Sequence, residues 1–340
     1  MMSARLFILT ILLANLSFAQ TKEPQQPIID MHLHAFPVAA FDKPAPPNPI
    51  TGTSSSLTSN RQHMQATFAA MRRYNIVKAV VSVIGGSLDV AQQWRSTEPN
   101  LVIATLGGFD GSNPPDLAML RREFLAGRLG AVGEIGAQYA GLAPDDPKLE
   151  PYFALAEELN IPVGLHTGLG PPGTPYDSCC PHFRVTLGNP KLLEEVLIRH
   201  PKLRIYIMHA GWPYLAETKA LMYMYPQVYA DLAAIDWLIP REEFHDYLQS
   251  LMRSGFRKRL MFGTDQGFWP EGIGMAVEGI ESAPFLTSEQ KRDIFYNNAV
   301  RFLKLDGKRS SNKGLQQAAP SNNLFNRSGD SVSFMELPAM

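Results

Sequence analysis

The sequence predicts an α/β protein, a single-domain (β/α)8 TIM barrel, on three observations. Eight short apolar segments rich in β-branched residues follow one another at 27–34, 76–84, 101–109, 130–136, 161–167, 203–210, 228–234 and 259–265. Between them lie stretches with helical spacing, among them 61–74, 87–95, 115–127, 147–160, 190–200, 213–224 and 241–254. Strand alternating with helix implies parallel βαβ units, and eight such units close a barrel. Finally, several apolar segments end in a histidine or an acid, and a parallel barrel gathers all those ends at one mouth. The 340 residues exceed the roughly 250 that one barrel uses.

The chain opens with a leader. Arg5 precedes the apolar stretch Leu6 to Leu16, which is too short and wrongly flanked for a stable span, and Ser17-Phe18-Ala19 offers small residues for cleavage before Gln20. Residues 1–19 are therefore read as a secretory signal peptide, with an uncleaved anchor as the alternative. The mature protein is expected to be exported, periplasmic or secreted. Residues 20–305 form the barrel, and 306–340, rich in Ser, Asn, Gly and Gln, a flexible tail. A net charge of −1 gives no sign of nucleic acid or of an anionic membrane surface as a partner. No later segment is long and apolar enough to cross a bilayer, so no membrane contact is expected after signal removal. The expected partner is a small-molecule substrate, and a homo-oligomer is compatible with the chain.

The first strand carries Asp30-Met31-His32-Leu33-His34. Side chains alternate along a strand, which places Asp30, His32 and His34 on one face and Ile29, Met31 and Leu33 on the other. Two imidazoles so spaced can hold one metal ion. Asp30, deeper on that face, is assigned to supporting the ligands or the barrel. The loop 35–60, rich in Pro, Ser and Thr, would lie over the mouth and act as a lid; a plain solvated loop is the alternative.

The fourth strand ends in Glu134, the fifth in His166, the sixth in His209 and the eighth in Asp265. With His32 and His34 these make six candidate metal ligands, a set of imidazoles and carboxylates that suits zinc, manganese, iron or nickel. A lone histidine at a strand end is commonly a hydrogen-bonded core residue, but four of the eight histidines lie at strand ends in this chain. His63, His200 and His245 fall on helical stretches away from the mouth and are read as ordinary.

The loop 168–188 follows His166 and holds Cys179 and Cys180. Adjacent Cα atoms lie about 3.8 Å apart, closer than disulfides prefer. An oxidising compartment permits a bridge, but a pair of plain thiols is the simpler reading. His182 and Arg184 in this loop could meet a substrate carboxylate, since Arg grips anions bidentately; idle loop charges are the alternative. Trp212 either walls the pocket or packs at a helix cap, and Phe268 and Trp269 share that ambiguity. Tyr229 and Asp231 on the seventh strand could point inward to substrate. The last helix begins at Thr287 with Gln290 completing a capping box, and Ile294, Phe295, Ala299, Phe302 and Leu303 form its apolar stripe.

Together these motifs resemble the amidohydrolase superfamily of metal-dependent barrel hydrolases, in its amidohydrolase-related branch, over roughly 27–305. The resemblance rests on the pair His32 and His34, on His166, His209 and Asp265, and on the closing segment Asn297-Asn298-Ala299-Val300-Arg301-Phe302-Leu303. That segment is read as structural. The resemblance implies a divalent metal cofactor, zinc first, as one or two ions, with Glu134 either bridging two ions or only hydrogen-bonding near them. It implies Asp265 and His209 as catalytic groups: Asp265 holds the attacking water and moves its proton to the leaving group, and His209 polarises the carbonyl or binds a second ion. The expected reaction is hydrolysis of an ester, lactone or amide. Non-oxidative decarboxylation is the nearest alternative, and a catalytically idle metal- or ligand-binding protein the next.

Overall fold

The computed structural model describes residues 26–35, 46–83, 87–107, 109, 111 and 114–305. The expected signal peptide and tail lie outside the described residues, as does 36–45 of the expected lid.

The strands are β1 (Ile28–Ala35), β2 (Ile76–Val83), β3 (Val102–Leu106), β4 (Ala131–Ile135), β5 (Val163–Leu165), β6 (Ile205–Ile207), β7 (Val228–Asp231) and β8 (Leu260–Met261). They pair in parallel in sequence order. The circle closes between β8 and β1, where Met31 N donates to Phe262 O and His34 N to Gln266 O. Helices α1 (Asn60–Arg73), α2 (Leu88–Thr97), α3 (Leu117–Leu125), α4 (Glu150–Leu159), α5 (Glu194–Arg199) and α6 (Leu215–Met224) connect the successive strands up to β7. After β7 come α7 (Ile235–Leu238) and α8 (Arg241–Arg253), and after β8 come α9 (Gly272–Glu281), α10 (Ser288–Arg292) and α11 (Asn298–Leu303). The first three helices start where the sequence offers a cap: Ser59, Ser87 and Asp116 each accept a backbone N–H of the first turn. Thr287 and Gln290 form the expected capping box. The stretch 190–200 is not one helix; a 3₁₀ turn at Pro190–Leu193 precedes α5, and a π turn at Asp293–Asn297 separates α10 from α11.

Two apolar layers hold the barrel. The larger lies between strands and helices and includes Leu33, Phe68, Trp94, Phe153, Leu165, Ile207, Phe244 and Ile280. The smaller joins Ile29, Met31, Val80, Tyr206, Met208 and Met261 with Phe302 of α11. Burying side chains of this size gives roughly 1.5–3 kcal/mol each before ordering entropy is counted. Asn298 serves structure, donating to the carbonyls of Arg257 and Leu260 at the entry to β8.

Strict alternation fails in β1. Its register against β2 shifts between Asp30 and Leu33, and Met31 joins Ile29 in the inner layer while Leu33 packs in the outer one. A bulge supplies an extra residue and resets which face follows. His32 and His34 still converge, but Asp30 turns into the β8 wall. Its carboxylate accepts from His32 N, Thr264 N and Thr264 Oγ1 at 3.0, 3.1 and 2.7 Å. The later strands are also shorter than expected, so His166, His209 and Asp265 lie just past β5, β6 and β8 in turns rather than on the strands. Cys179 and Cys180 are joined in a vicinal disulfide, against the simpler reading of two thiols.

Candidate metal centre

Glu134 reaches the mouth because β4 is held rigidly behind it. Ser82 and Thr105 both donate to Gly133 O, and Glu134 N donates back to Ser82 Oγ. Gly133 has φ +145°, and a Cβ there would stand 3.0 Å from the backbone of Gly164 on β5, so only glycine fits.

The Glu134 carboxylate then points its two oxygens at different histidines. Oε2 lies 3.3 Å from His34 Nε2 and 3.6 Å from His32 Nε2. Oε1 lies 2.5 Å from His166 Nδ1, which is 3.3 Å from His209 Nε2. Asp265 Oδ1 completes the first group, 2.8 Å from His34 Nε2 and 3.4 Å from His32 Nε2, and those two nitrogens are 3.1 Å apart. All six expected ligands therefore meet, and all but Asp265 are less than a tenth exposed.

The tautomers are fixed from behind. His32 Nδ1 donates to Asp231 Oδ2 at 3.2 Å, and His209 Nδ1 donates to Ala233 O at 2.9 Å. Carboxylate and carbonyl oxygens only accept, so both rings present an Nε2 lone pair to the centre. Two Nε2 atoms and two carboxylate oxygens, each able to offer a lone pair, crowd together in the first group at 2.8–3.6 Å. Ligands about 2.1 Å from one ion sit about 3.0–3.4 Å apart in octahedral or tetrahedral order, close to this spacing. The donor set thus fits a divalent cation. The centre attracts positive charge: burial opposes charge on His32, yet the Asp265 and Asp231 carboxylates hold its pKa well above the ordinary histidine value, so a cation bound there would displace a proton from the ring. Burial would raise Asp265, but His32 and His34 bring it down to about 2. Burial and the neighbouring His166 lower His209.

Asp231 is the member that sequence reasoning placed wrongly. It was expected to touch substrate; instead it is fully buried behind His32, and its Oδ1 accepts from His209 N and Ala233 N. His182 and Arg184 do not join the centre. Both are exposed, and Arg184 donates to the carbonyls of Pro181 and Phe183 in its own loop. Phe183 between them turns inward, against Tyr139. Trp212 points its indole N–H at Glu243 of α8, and Tyr229 packs on Phe302 in the inner layer. Trp269 donates to Pro46 O, which pins the described end of the 35–60 loop beside β8. His63 is nearer the mouth than expected: it packs on Trp94 beside Gly267, two residues past Asp265. Tyr139, which the sequence did not single out, stands with its ring against His166. Its only sequence signal is its place five residues after Glu134.

The amidohydrolase family model matches residues 29–305, from the first ligand strand to the closing helix. The chain belongs to the amidohydrolase family. Among curated proteins, Protein fluG of Emericella nidulans is 24% identical over 168 residues, 45% of this chain; the match spans only 18% of that protein. Among solved structures, a putative 2-pyrone-4,6-dicarboxylic acid hydrolase from Pseudomonas putida aligns with a TM-score of 0.58 at 16% identity, covering 83% of this chain and 99% of its own. A 5-carboxyvanillate decarboxylase from Novosphingobium aromaticivorans, with bound manganese, aligns at 0.58 and 13% identity over 82% of this chain and 97% of its own. At such identities the two structures show a shared fold. Hydrolases and decarboxylases both stand among these neighbours, and members of this family are enzymes.

Proposed function

We propose that this amidohydrolase is an exported two-metal hydrolase that cleaves an ester, lactone or amide of a small molecule. The observation that carries the reading is Glu134, whose oxygens face His32 and His34 on one side and His166 on the other. A carboxylate so placed suits a bridge between two ions. His32, His34 and Asp265 would hold the first, and His166 and His209 the second, with zinc the expected metal and manganese its chief competitor. When bound, such ions supply a water ionised near neutral pH and an electrophile for a carbonyl oxygen.

The chain's own groups do the rest. Asp265 stays ionised, held down by its histidine neighbours, and so serves as the acceptor for the water's proton and its carrier to the leaving group. Asp231 accepts from Nδ1 of His32 and so aims its Nε2 at the centre. The Cys179–Cys180 bridge supports the exported location, since disulfides persist in oxidising compartments. Arg184, the candidate for gripping a substrate carboxylate, is tied to its own loop, which weighs for hydrolysis over decarboxylation.

Elemental analysis of the purified protein, paired with assays on esters, lactones, amides and hydroxybenzoates, tests the reading. Two equivalents of metal and water-dependent cleavage are expected. One equivalent with CO2 release from a hydroxybenzoate would replace hydrolysis by decarboxylation, and no turnover with any metal would leave a binding protein.

A further inference from the structure

Tyr139 lies in the 3₁₀ turn Ala137–Ala140 that follows β4. Its ring meets the His166 ring edge-on, with centroids 4.9 Å apart, and the Phe183 ring at 5.1 Å. The loop 168–188 closes over this turn: Gly168 N donates to Gly188 O, and Gln138 Nε2 donates to Gly168 O. The phenol is thus clamped on both flanks. Among the described residues its hydroxyl makes no hydrogen bond, which leaves its O–H available to a bound molecule. The space at the hydroxyl is kept open by Gly170, where a Cβ would stand 3.1 Å from Tyr139 Oη and 3.0 Å from the Phe183 ring.

The centre beside it is rich in acceptors. Glu134 and Asp265 offer carboxylate oxygens, and the ring N–H groups fixed above, on His32 and His209, are spent on Asp231 and Ala233. A fixed donor aimed where negative charge develops on a reacting carbonyl oxygen would add to what bound ions supply. We propose that Tyr139 is that donor, its hydroxyl reserved for the oxyanion of a substrate bound over the His166 side of the centre. The assignment rests on the hydrolase reading in placing substrate there. The ligand class it selects is an oxyanion at a tetrahedral carbon or its mimic, flanked by the aromatic wall of Phe183.

The test uses the full mature chain loaded with manganese, and phenylphosphonate as a tetrahedral oxyanion probe read by calorimetry. Tyr139→Phe keeps both ring contacts and removes only the donor. The expected result is a 10- to 100-fold weaker phenylphosphonate Kd, the usual cost of losing a hydrogen bond to a charged group, with metal content and thermal midpoint unchanged. Gly170→Ala is the second variant, since it crowds the hydroxyl without touching the phenol; it too should weaken the probe. Wild-type affinity in Tyr139→Phe overturns the donor role and leaves the hydrolase reading standing. Loss of metal from that variant also overturns it, because the side chain would then be supporting the ligands. Failure of phenylphosphonate to bind the loaded wild type overturns the oxyanion site, while metal content and the ester, lactone and amide assays decide the hydrolase reading on their own.

Discussion

Replacing Asp231 by Asn tests whether the centre is built to present imidazole lone pairs to a cation. The substitution keeps shape and volume at a fully buried position. Its orientation is not free. Two backbone donors, His209 N at 2.8 Å and Ala233 N at 3.2 Å, converge on Oδ1 and require an oxygen there. The amide nitrogen must then occupy the place of Oδ2, 3.2 Å from His32 Nδ1. Two donors cannot face each other, so the ring surrenders its Nδ1 proton and carries it on Nε2, where it can no longer ligate. Losing the partner of a ligating histidine costs 10- to 100-fold in metal affinity, and a wrong tautomer belongs at the upper end. About 100-fold, or about 2.8 kcal/mol, is therefore expected. Competition against a chromogenic chelator reads the affinity, and a thermal scan checks the fold, which the retained backbone bonds should preserve. Metal affinity within threefold of wild type, in a folded variant, would refute the tautomer argument and with it the assignment of His32 as a ligand.

Three further outcomes follow from the same geometry. Asp265→Asn should lower turnover by about 10²–10⁴, the range for a lost general acid–base group, with the fold intact; near-normal activity in a steady-state assay would remove Asp265 from the proton path. Glu134→Gln should reduce bound metal from two equivalents to one by elemental analysis, and two retained equivalents would end its role as a bridge. Burial lowers the His63 pKa to about 4, with the nearby Gly267 backbone only partly offsetting this, so the unfolded chain binds more protons than the folded one between that value and 6.5. Stability should therefore fall as pH drops through this window, by about 3 kcal/mol from this group. His63→Phe should lose that much less between pH 7 and 4 in urea titrations, and an identical pH slope would show that His63 does not titrate on unfolding.

The barrel was legible because parallel strands are buried on both faces and read as continuous β-branched runs, and because turns and helices between them keep their spacing. The helix α9 was not. Its sequence GIGMAVEGIE has an apolar stripe, Ile273, Ala276, Val277 and Ile280, but three glycines interrupt the helical signal, and two of them answer to neighbours far away in the chain: a Cβ at Gly274 would strike the Tyr74 hydroxyl, and one at Gly279 the carbonyl of Asp236. The clustering of the candidate ligands was legible because type and strand-end position select them together. Asp231 satisfies the same rule, yet its role depends on which way a strand end faces and on which ring lies behind it, and neither is local. Tyr139 and Phe183 escaped because an aromatic residue in a loop looks alike whether it lines a site or fills one. In the loop 168–188 the charges drew attention, while the residue that turned inward was the phenylalanine between them.

His209 and Asp265 owe their place in the cluster to backbone that most residues avoid. His209 and Ala210 after β6, Ala234 after β7 and Asp265 after β8 all have φ between +47° and +64°, without glycine. Each such residue costs about 1–3 kcal/mol and persists only where its surroundings over-determine it. They are over-determined here. The Ala210 carbonyl accepts from the hydroxyls of both Thr218 and Tyr247. The turn at Asp265 is held by His32 O, which accepts from Asp265 N, and by Thr264, whose hydroxyl donates to Asp30 and whose carbonyl accepts from the Trp237 indole. Asp30 therefore fixes two ligands at once, His32 through its backbone N–H and Asp265 through Thr264. Residues that do not reach the centre thus set its geometry, and a cluster lying this close across separate strands follows from the rigidity of the wall behind it.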